Sequence, residues 1–428
     1  MENLVNNPDI LRITDEIREK AASGRYIVSD AILREGGREY QFVDLVMEGG
    51  GTLGIALVGY IHAIEQAGIR FLGMGGSSVG AIVALIAYSC GKRTEARGER
   101  LASIVGGMDL GEMVDGGYFA RKLSKLLGNN NAKLRTPRIL AGALLNLPLL
   151  FRRLGLNPGD KLYGWISDRL AENGIHTLAD LGGLVEALPE GLAHRVTGKP
   201  IIGHDTSLKI VAADITTSTK VVFPDMAAMY WQDPSAANPA CFARASVSIP
   251  LFFQPFAVEG ISSILGKGDK WERLGSFTGT LPDKVLFADG GMMSNFPIDL
   301  FRRIGVPSAP TFGARLGGKN RTVKGADTLG QYAGRLFDAL LHYSDYDFIY
   351  KNPLFKNLIA YINTDRYNWL DFHMSPEDKL GLFREGVVAA YNFLESFDWA
   401  QYKELRAAER TVHRTEAETA RSIVQPST

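Results

Sequence analysis

A serine hydroxyl attacks a carbonyl well only when the chain exposes it and sets a base beside it. Ser78 meets the first condition through its neighbours. It lies in Gly76-Ser77-Ser78-Val79-Gly80, directly after the apolar run 69–75. Glycines two positions to either side let a strand turn sharply into a helix and leave the hydroxyl at the tip of the turn. In a chain with 47 glycines the match is weak alone. A strand-like run before it and an apolar helical run after it favour a nucleophile over an incidental turn.

A second glycine cluster, Gly49-Gly50-Gly51-Thr52-Leu53-Gly54, lies shortly upstream. One reading is the dinucleotide fingerprint, which wants an acid at the end of the next strand. Here that strand ends in Gly76-Ser77-Ser78. A tight strand-to-helix turn is a second reading. The third is an oxyanion hole, in which the N–H groups of Gly49, Gly50 and Gly51 stand uncovered at a helix N-terminus. Ser78 nearby favours the third. The run 313–320 approaches a phosphate-binding loop but has Asn320 where a magnesium-binding hydroxyl belongs, and reads as a surface loop.

The nucleophile needs a base. Asp289 ends a buried run at Asp289-Gly290-Gly291. Strand C-termini are where parallel α/β sheets place their sites. A turn-capping aspartate explains the same residues. A Ser–Asp–His triad would need a histidine after the acid, and His342 and His373 are the candidates. No close His/Cys/Asp/Glu cluster has metal-ligand spacing.

These residues must be held by strands and helices in alternation. Residues 42–47 read as a buried strand, 52–67 as a helix, 69–75 as a strand and 79–90 as a buried helix. That order marks a parallel sheet covered by helices. Runs 208–214 and 220–223 suggest a hairpin, 261–283 a loop-rich stretch, and 285–289 and 310–316 further strands. Ser375-Pro376-Glu377-Asp378 opens a late helix that runs through Leu394.

The chain has 428 residues, 46% of them hydrophobic, and no net charge, so no nucleic-acid partner is expected. Its two cysteines, Cys90 and Cys241, read as buried thiols and suit a reducing, cytoplasmic compartment. The first residues lack a basic region followed by an apolar stretch, so no secretory signal is expected. No run is long and apolar enough to span a bilayer, and membrane contact would be peripheral. Zero net charge hides one biased block. Residues 121–153 carry Arg135, Arg138, Arg152, Arg153 and other basic residues among leucines, with no Asp or Glu.

Taken in order, the glycine turn, the Ser78 elbow and Asp289-Gly290-Gly291 resemble the patatin-like phospholipases. So do Ala243-Arg244-Ala245-Ser246-Val247-Ser248-Ile249-Pro250 and Ser294-Asn295-Phe296-Pro297. The resemblance covers about residues 42–316. It implies a three-layer α/β fold with a central, mostly parallel sheet and a helical cap. It also implies a histidine-free dyad, with Ser78 as nucleophile and Asp289 as base. The N–H of Val79 would add an oxyanion donor, as in related serine hydrolases. No metal or organic cofactor is implied. The substrate would be a phospholipid or other acyl lipid. One position departs from the family: many members carry Arg or Lys where this chain has Leu53.

The expected organisation is a leader over 1–41, a catalytic domain over 42–320, a helical part over 321–400 and a charged tail over 401–428. The block 121–153 would be a cap meeting anionic lipid at a membrane surface, with Arg244 as a further headgroup contact. Two other functions fit the residues. One is a triad esterase or thioesterase, and the other is a non-catalytic lipid-binding module.

Overall fold

The computed structural model of the chain describes residues 4–128, 150–185, 188–318, 325–326 and 329–409. Its strands are β1 (Ala31–Glu35), β2 (Arg38–Met47), β3 (Ile69–Ser77), β4 (Gly155–Asn157), β5 (Ala193–His194) and β6 (Leu208–Asp214). They continue with β7 (Thr219–Phe223), β8 (Leu251–Phe253), β9 (Phe256–Glu259), β10 (Lys284–Ala288), β11 (Thr311–Leu316) and β12 (Ile359–Ile362). One mixed sheet runs in the order β12-β11-β2-β3-β6-β10-β9, with β1, β5 and β7 paired off this path; β4 and β8 pair separately.

The β12-β11-β2-β3-β6 portion is parallel. Such strands need both faces covered, and β2 shows how alternation achieves this. Val43, Leu45 and Met47 join the large core beneath helices α2 (Gly54–Gln66) and α3 (Val79–Ser89). Phe42 and Val46 point into separate clusters on the opposite face, where Phe296, Ile298 and Phe301 pack. Helix α3 is buried from Gly80 to Ser89, as its unbroken apolar run requires. The helix Pro376–Ser396 has the expected Ser375 N-cap, whose side chain accepts from the Asp378 N–H, and it packs along α2.

Three expectations change. The leader belongs to the core: helix α1 (Pro8–Ala22) buries Ile10, Ile13 and Ile17, and β1 joins the sheet. Those isoleucines follow helical spacing, but the charges between them mask it. The tail also packs in part. Residues 399–409 are helical, Tyr402 is buried, Lys403 Nζ lies 2.6 Å from Asp30 Oδ2, and Arg406 donates to the carbonyls of Arg303 and Gly305. The stretch 261–283 holds a helix, Lys267–Gly275, anchored by buried Trp271, whose Nε1 donates to Met229 O at 3.0 Å. The strand expected over 310–316 is β11, and of the loop expected over 313–320, residues 319 and 320 lie outside the described residues.

Candidate active site

Strands β2 and β3 are neighbours in parallel register, with Met47 beside Gly76, so the glycine turn and the Ser78 elbow emerge side by side. A Cβ on Gly76 or Gly80 would lie 2.5 Å from Met47 O. Only glycine lets the end of β2 press against the elbow. Ser78 itself has φ 51° and ψ −124°, a region that costs a side-chain-bearing residue of order 1–3 kcal/mol. The surrounding bonds must hold it there. Helix α3 begins at Val79, so its N-terminal end points at the serine.

Asp289 follows β10, which runs antiparallel to β6. The expectation of a parallel strand's C-terminal edge is therefore corrected. Pairing of Ala288 with Ala213 carries the chain back alongside Val211, which is the partner of Ser77 on β3. Asp289 thus reaches the site from the opposite direction. Its two oxygens do different jobs. Oδ1 accepts the Gly291 N–H at 2.8 Å, and Oδ2 accepts the Ser78 hydroxyl at 2.6 Å. Asp289 therefore caps the turn and contacts the Ser78 hydroxyl at once. Both side chains are buried. Burial pushes the Asp289 carboxyl up to about 6, against the lowering effect of the Ser78 and Gly291 bonds.

The glycine turn is divided in its roles. Gly49 N–H donates to Asn295 O at 2.9 Å, and Asn295 Nδ2 returns a bond to Gly49 O at 3.2 Å. Gly49 is therefore a fastener and its N–H is not a free oxyanion donor. Gly50 N–H has no backbone or side-chain acceptor among the described residues. Gly51 opens a short 3-10 turn at φ +55°, and a Cβ there would sit 2.2 Å from Trp369 O.

Two cavities meet at Ser78, sharing Gly51 and Ile249. One, of about 60 Å³, is walled almost wholly by apolar side chains including Ile82, Val105, Met113, Leu162 and Phe253. The other, of about 150 Å³, is more polar and includes Glu48, Asp289, Asn295, His342 and Thr364. Leu53, at the position that departs from the family, is buried and forms part of this second wall. Glu48 Oε2 accepts the Leu316 N–H at 2.6 Å, and Arg315 Nε lies 3.4 Å from Oε1. Burial pushes Glu48 up to about 8, and Arg315 opposes this.

Of the histidines proposed for a triad, His342 lines the polar cavity with Nδ1 3.9 Å from Glu48 Oε1. His373 is exposed, beside Gly111. Neither stands between Ser78 and Asp289, which are directly bonded. Arg244 is also corrected. It is buried, and its guanidinium donates to Pro158 O, Gln254 O and Ser248 Oγ, so it does not face a headgroup. Arg152 and Arg153 are exposed beside Phe151, while Arg135 and Arg138 lie outside the described residues. No helix among the described residues is long and apolar enough to cross a membrane.

Sequence reasoning passed over Ser246 and Ser248 as individual residues. Ser246 Oγ accepts the Ser78 N–H at 2.9 Å. A signal was present: small polar residues alternate with Val247 and Ile249 in a short buried run.

The chain is 29% identical over 367 residues to a protein of Bacillus subtilis (strain 168) described as "Uncharacterized protein YqhO", covering 84% of this chain and 100% of that one. Among solved structures it is similar to VipD from Legionella pneumophila (TM-score 0.41, 16% identity, 89% of this chain and 73% of that chain). It is also similar to the ExoU–SpcU complex of the Pseudomonas aeruginosa type III secretion system (TM-score 0.34, 16% identity, 93% and 66%). The model of the patatin-like phospholipase family matches residues 45–302, which hold the glycine turn, the Ser78 elbow and Asp289, and the chain belongs to that family.

Proposed function

We propose that the protein is a lipid acyl hydrolase of the phospholipase A or lysophospholipase kind, working through an acyl-enzyme on Ser78 with Asp289 as base. The observation that carries this reading is the 2.6 Å bond from Ser78 Oγ to Asp289 Oδ2, at the junction of an apolar and a polar cavity. Oγ bonds to the ester carbonyl carbon as Asp289 takes its proton, and the carbonyl electron pair moves onto oxygen. The N–H groups of Gly50, Gly51 and Val79 hold that oxyanion. Collapse restores the carbonyl and expels the alcohol, which takes the proton from Asp289. Water then attacks the acyl carbon, giving its proton to Asp289. The second collapse releases the fatty acid, and Ser78 Oγ recovers the proton.

The apolar cavity suits the acyl chain, and the polar cavity suits the leaving alcohol. A carboxyl near 6 is well matched to a base at neutral pH, being ionised yet still basic. The exposed Tyr118, Phe119 and Phe151, with Arg152 and Arg153, suit peripheral contact with an anionic bilayer, to which each basic residue adds roughly 1 kcal/mol.

The test is mass spectrometry of the products formed from mixed phospholipids. Wild-type protein should release fatty acids, and Ser78→Ala should lower the rate on the order of 10⁴-fold or more. Equal release by both would remove the reading, and failure of a fluorophosphonate probe to label Ser78 would favour a non-catalytic lipid binder.

A further inference from the structure

Ser78 and Asp289 come from strands that are not neighbours, and a third segment touches the backbone of both. Ser246 Oγ accepts the Ser78 N–H at 2.9 Å and donates to Val211 O at 2.6 Å. Ser246 O accepts the Gly290 N–H and Ser248 O accepts the Asp289 N–H, both at 2.9 Å. The segment is pinned in turn by Arg244. Its Nη1 donates to Ser248 Oγ at 2.8 Å, and its Nη2 donates to Pro158 O at 2.6 Å and Gln254 O at 2.8 Å. Burial pushes that guanidinium down, and the charges of Asp115 and Asp160 oppose this. Burying a charge is costly, and the three oxygen acceptors of the guanidinium tie it to the segment and to two neighbouring loops.

The alternate residues of the same segment face the other way. Val247 and Ile249 line the apolar cavity at Ser78, and Phe253, over which the Arg244 guanidinium stacks at 5.6 Å, lines it too. One short stretch therefore holds the nucleophile, the base and the wall of the acyl cavity.

We infer that residues 244–248 form a clamp that sets the Ser78–Asp289 distance, with Ser246 and Arg244 as positioning residues. The inference rests on the reading of Ser78 and Asp289 as the catalytic pair. Ser246 holds the strained Ser78 backbone from below through its hydroxyl, and through its carbonyl it fixes the turn that aims Asp289. Arg244 transmits this restraint to the Pro158 and Gln254 loops.

The experiment is steady-state kinetics on Ser246→Ala, Ser246→Thr and Arg244→Lys, with thermal melting and hydrogen exchange on the same proteins. A misplacement of the reacting atoms by about 1 Å can cost on the order of 100-fold. Ser246→Ala should lower kcat by about ten- to a hundredfold with KM within about twofold and the melting temperature little changed. Ser246→Thr, which keeps the hydroxyl, should recover most of the loss. Arg244→Lys should fall between wild type and Ser246→Ala. Amide exchange should rise at 76–80 and 288–291 in Ser246→Ala. Wild-type kcat in Ser246→Ala, or a loss that tracks only a collapse in melting temperature across the three variants, would overturn the clamp. If wild-type protein shows no Ser78-dependent hydrolysis, the proposed function has failed instead. The exchange data then decide the clamp, and unchanged exchange at both segments overturns it.

Discussion

The two arms of the site are built in contrasting ways. The arm of Ser78, the proposed nucleophile, is local: β2, the glycine turn, α2, β3 and the elbow follow one another in sequence, and each strand lies beside the next. The arm of Asp289, the proposed base, is remote. Asp289 is 211 positions beyond Ser78 and enters on an antiparallel strand that ends opposite Ala213, two residues from the Val211 that pairs with Ser77. A local arm is constrained by turn geometry, and glycine is its currency. A remote arm is constrained by what it docks against, and here that is Ser246, Ser248 and Val211. The Ser78 arm should therefore fail through backbone collision, and the Asp289 arm through loss of alignment or of charge.

Removing the charge of the remote arm should have the largest effect. Asp289→Asn keeps the shape and the Gly291 bond but has no basicity, so turnover should fall by roughly 10³-fold or more, read as kcat on a soluble ester. Its stability should move the other way. Burial raises the folded-state carboxyl from 3.8 to about 6. The folded protein thus binds this proton more tightly than the unfolded chain. The penalty for ionisation grows as pH rises from about 4 and is complete above about 6. Asp289→Asn should melt higher than wild type near pH 7, by up to about 3 kcal/mol, with no gain below about pH 4. A variant that is inactive and also less stable near pH 7 would mean that Asp289 supports the fold rather than the reaction.

Backbone collision comes next. A Cβ on Gly80 would lie 2.5 Å from Met47 O, and one on Gly290 2.1 Å from Val211 O. Gly80→Ala opens the gap between elbow and glycine turn, and Gly290→Ala lifts the base away from β6. Each should cut turnover about a hundredfold and cost on the order of 1–3 kcal/mol, seen in denaturant melts. If Gly290→Ala kept wild-type turnover, the remote arm would be tolerant of displacement and the contrast between the arms would be lost.

A milder perturbation is pH. The base works ionised, so kcat should rise tenfold per pH unit up to an inflection near 6 and then level. Asp289→Asn should lack that limb. The smallest effects belong to the histidines: His342→Ala and His373→Ala should each stay within about threefold of wild type. A loss of several orders in His342→Ala would bring the triad back.

Much of this was legible in the residues. The glycine spacing around Ser78, the apolar runs on either side and the Asp289-Gly290-Gly291 turn pointed to both members of the proposed pair, whose side chains are bonded in the structure. The alternating and helical patterns placed β2, β3, α3 and the Ser375-capped helix close to where they lie. What went unread had physical causes. The isoleucines of α1 were hidden by surface charges, yet they follow the spacing of a buried face. Arg244 looked like a headgroup contact because arginines usually stay in water, but a ring of carbonyls lets this one be buried. Gly49 looked like an oxyanion donor because its N–H had no visible acceptor, and that acceptor, Asn295, is remote in sequence.

Local chemistry thus determined the Ser78 elbow, because a strained turn can be made only by particular residues at fixed offsets. It also determined the strands and helices that frame the turn, since hydrophobic period follows backbone period. The direction of β10, the pairing of Ser78 with Asp289 without a histidine between them, and the Ser246 clamp were decided only by tertiary structure. Each depends on which distant backbone groups find one another when the sheet closes, and no offset along the chain encodes that.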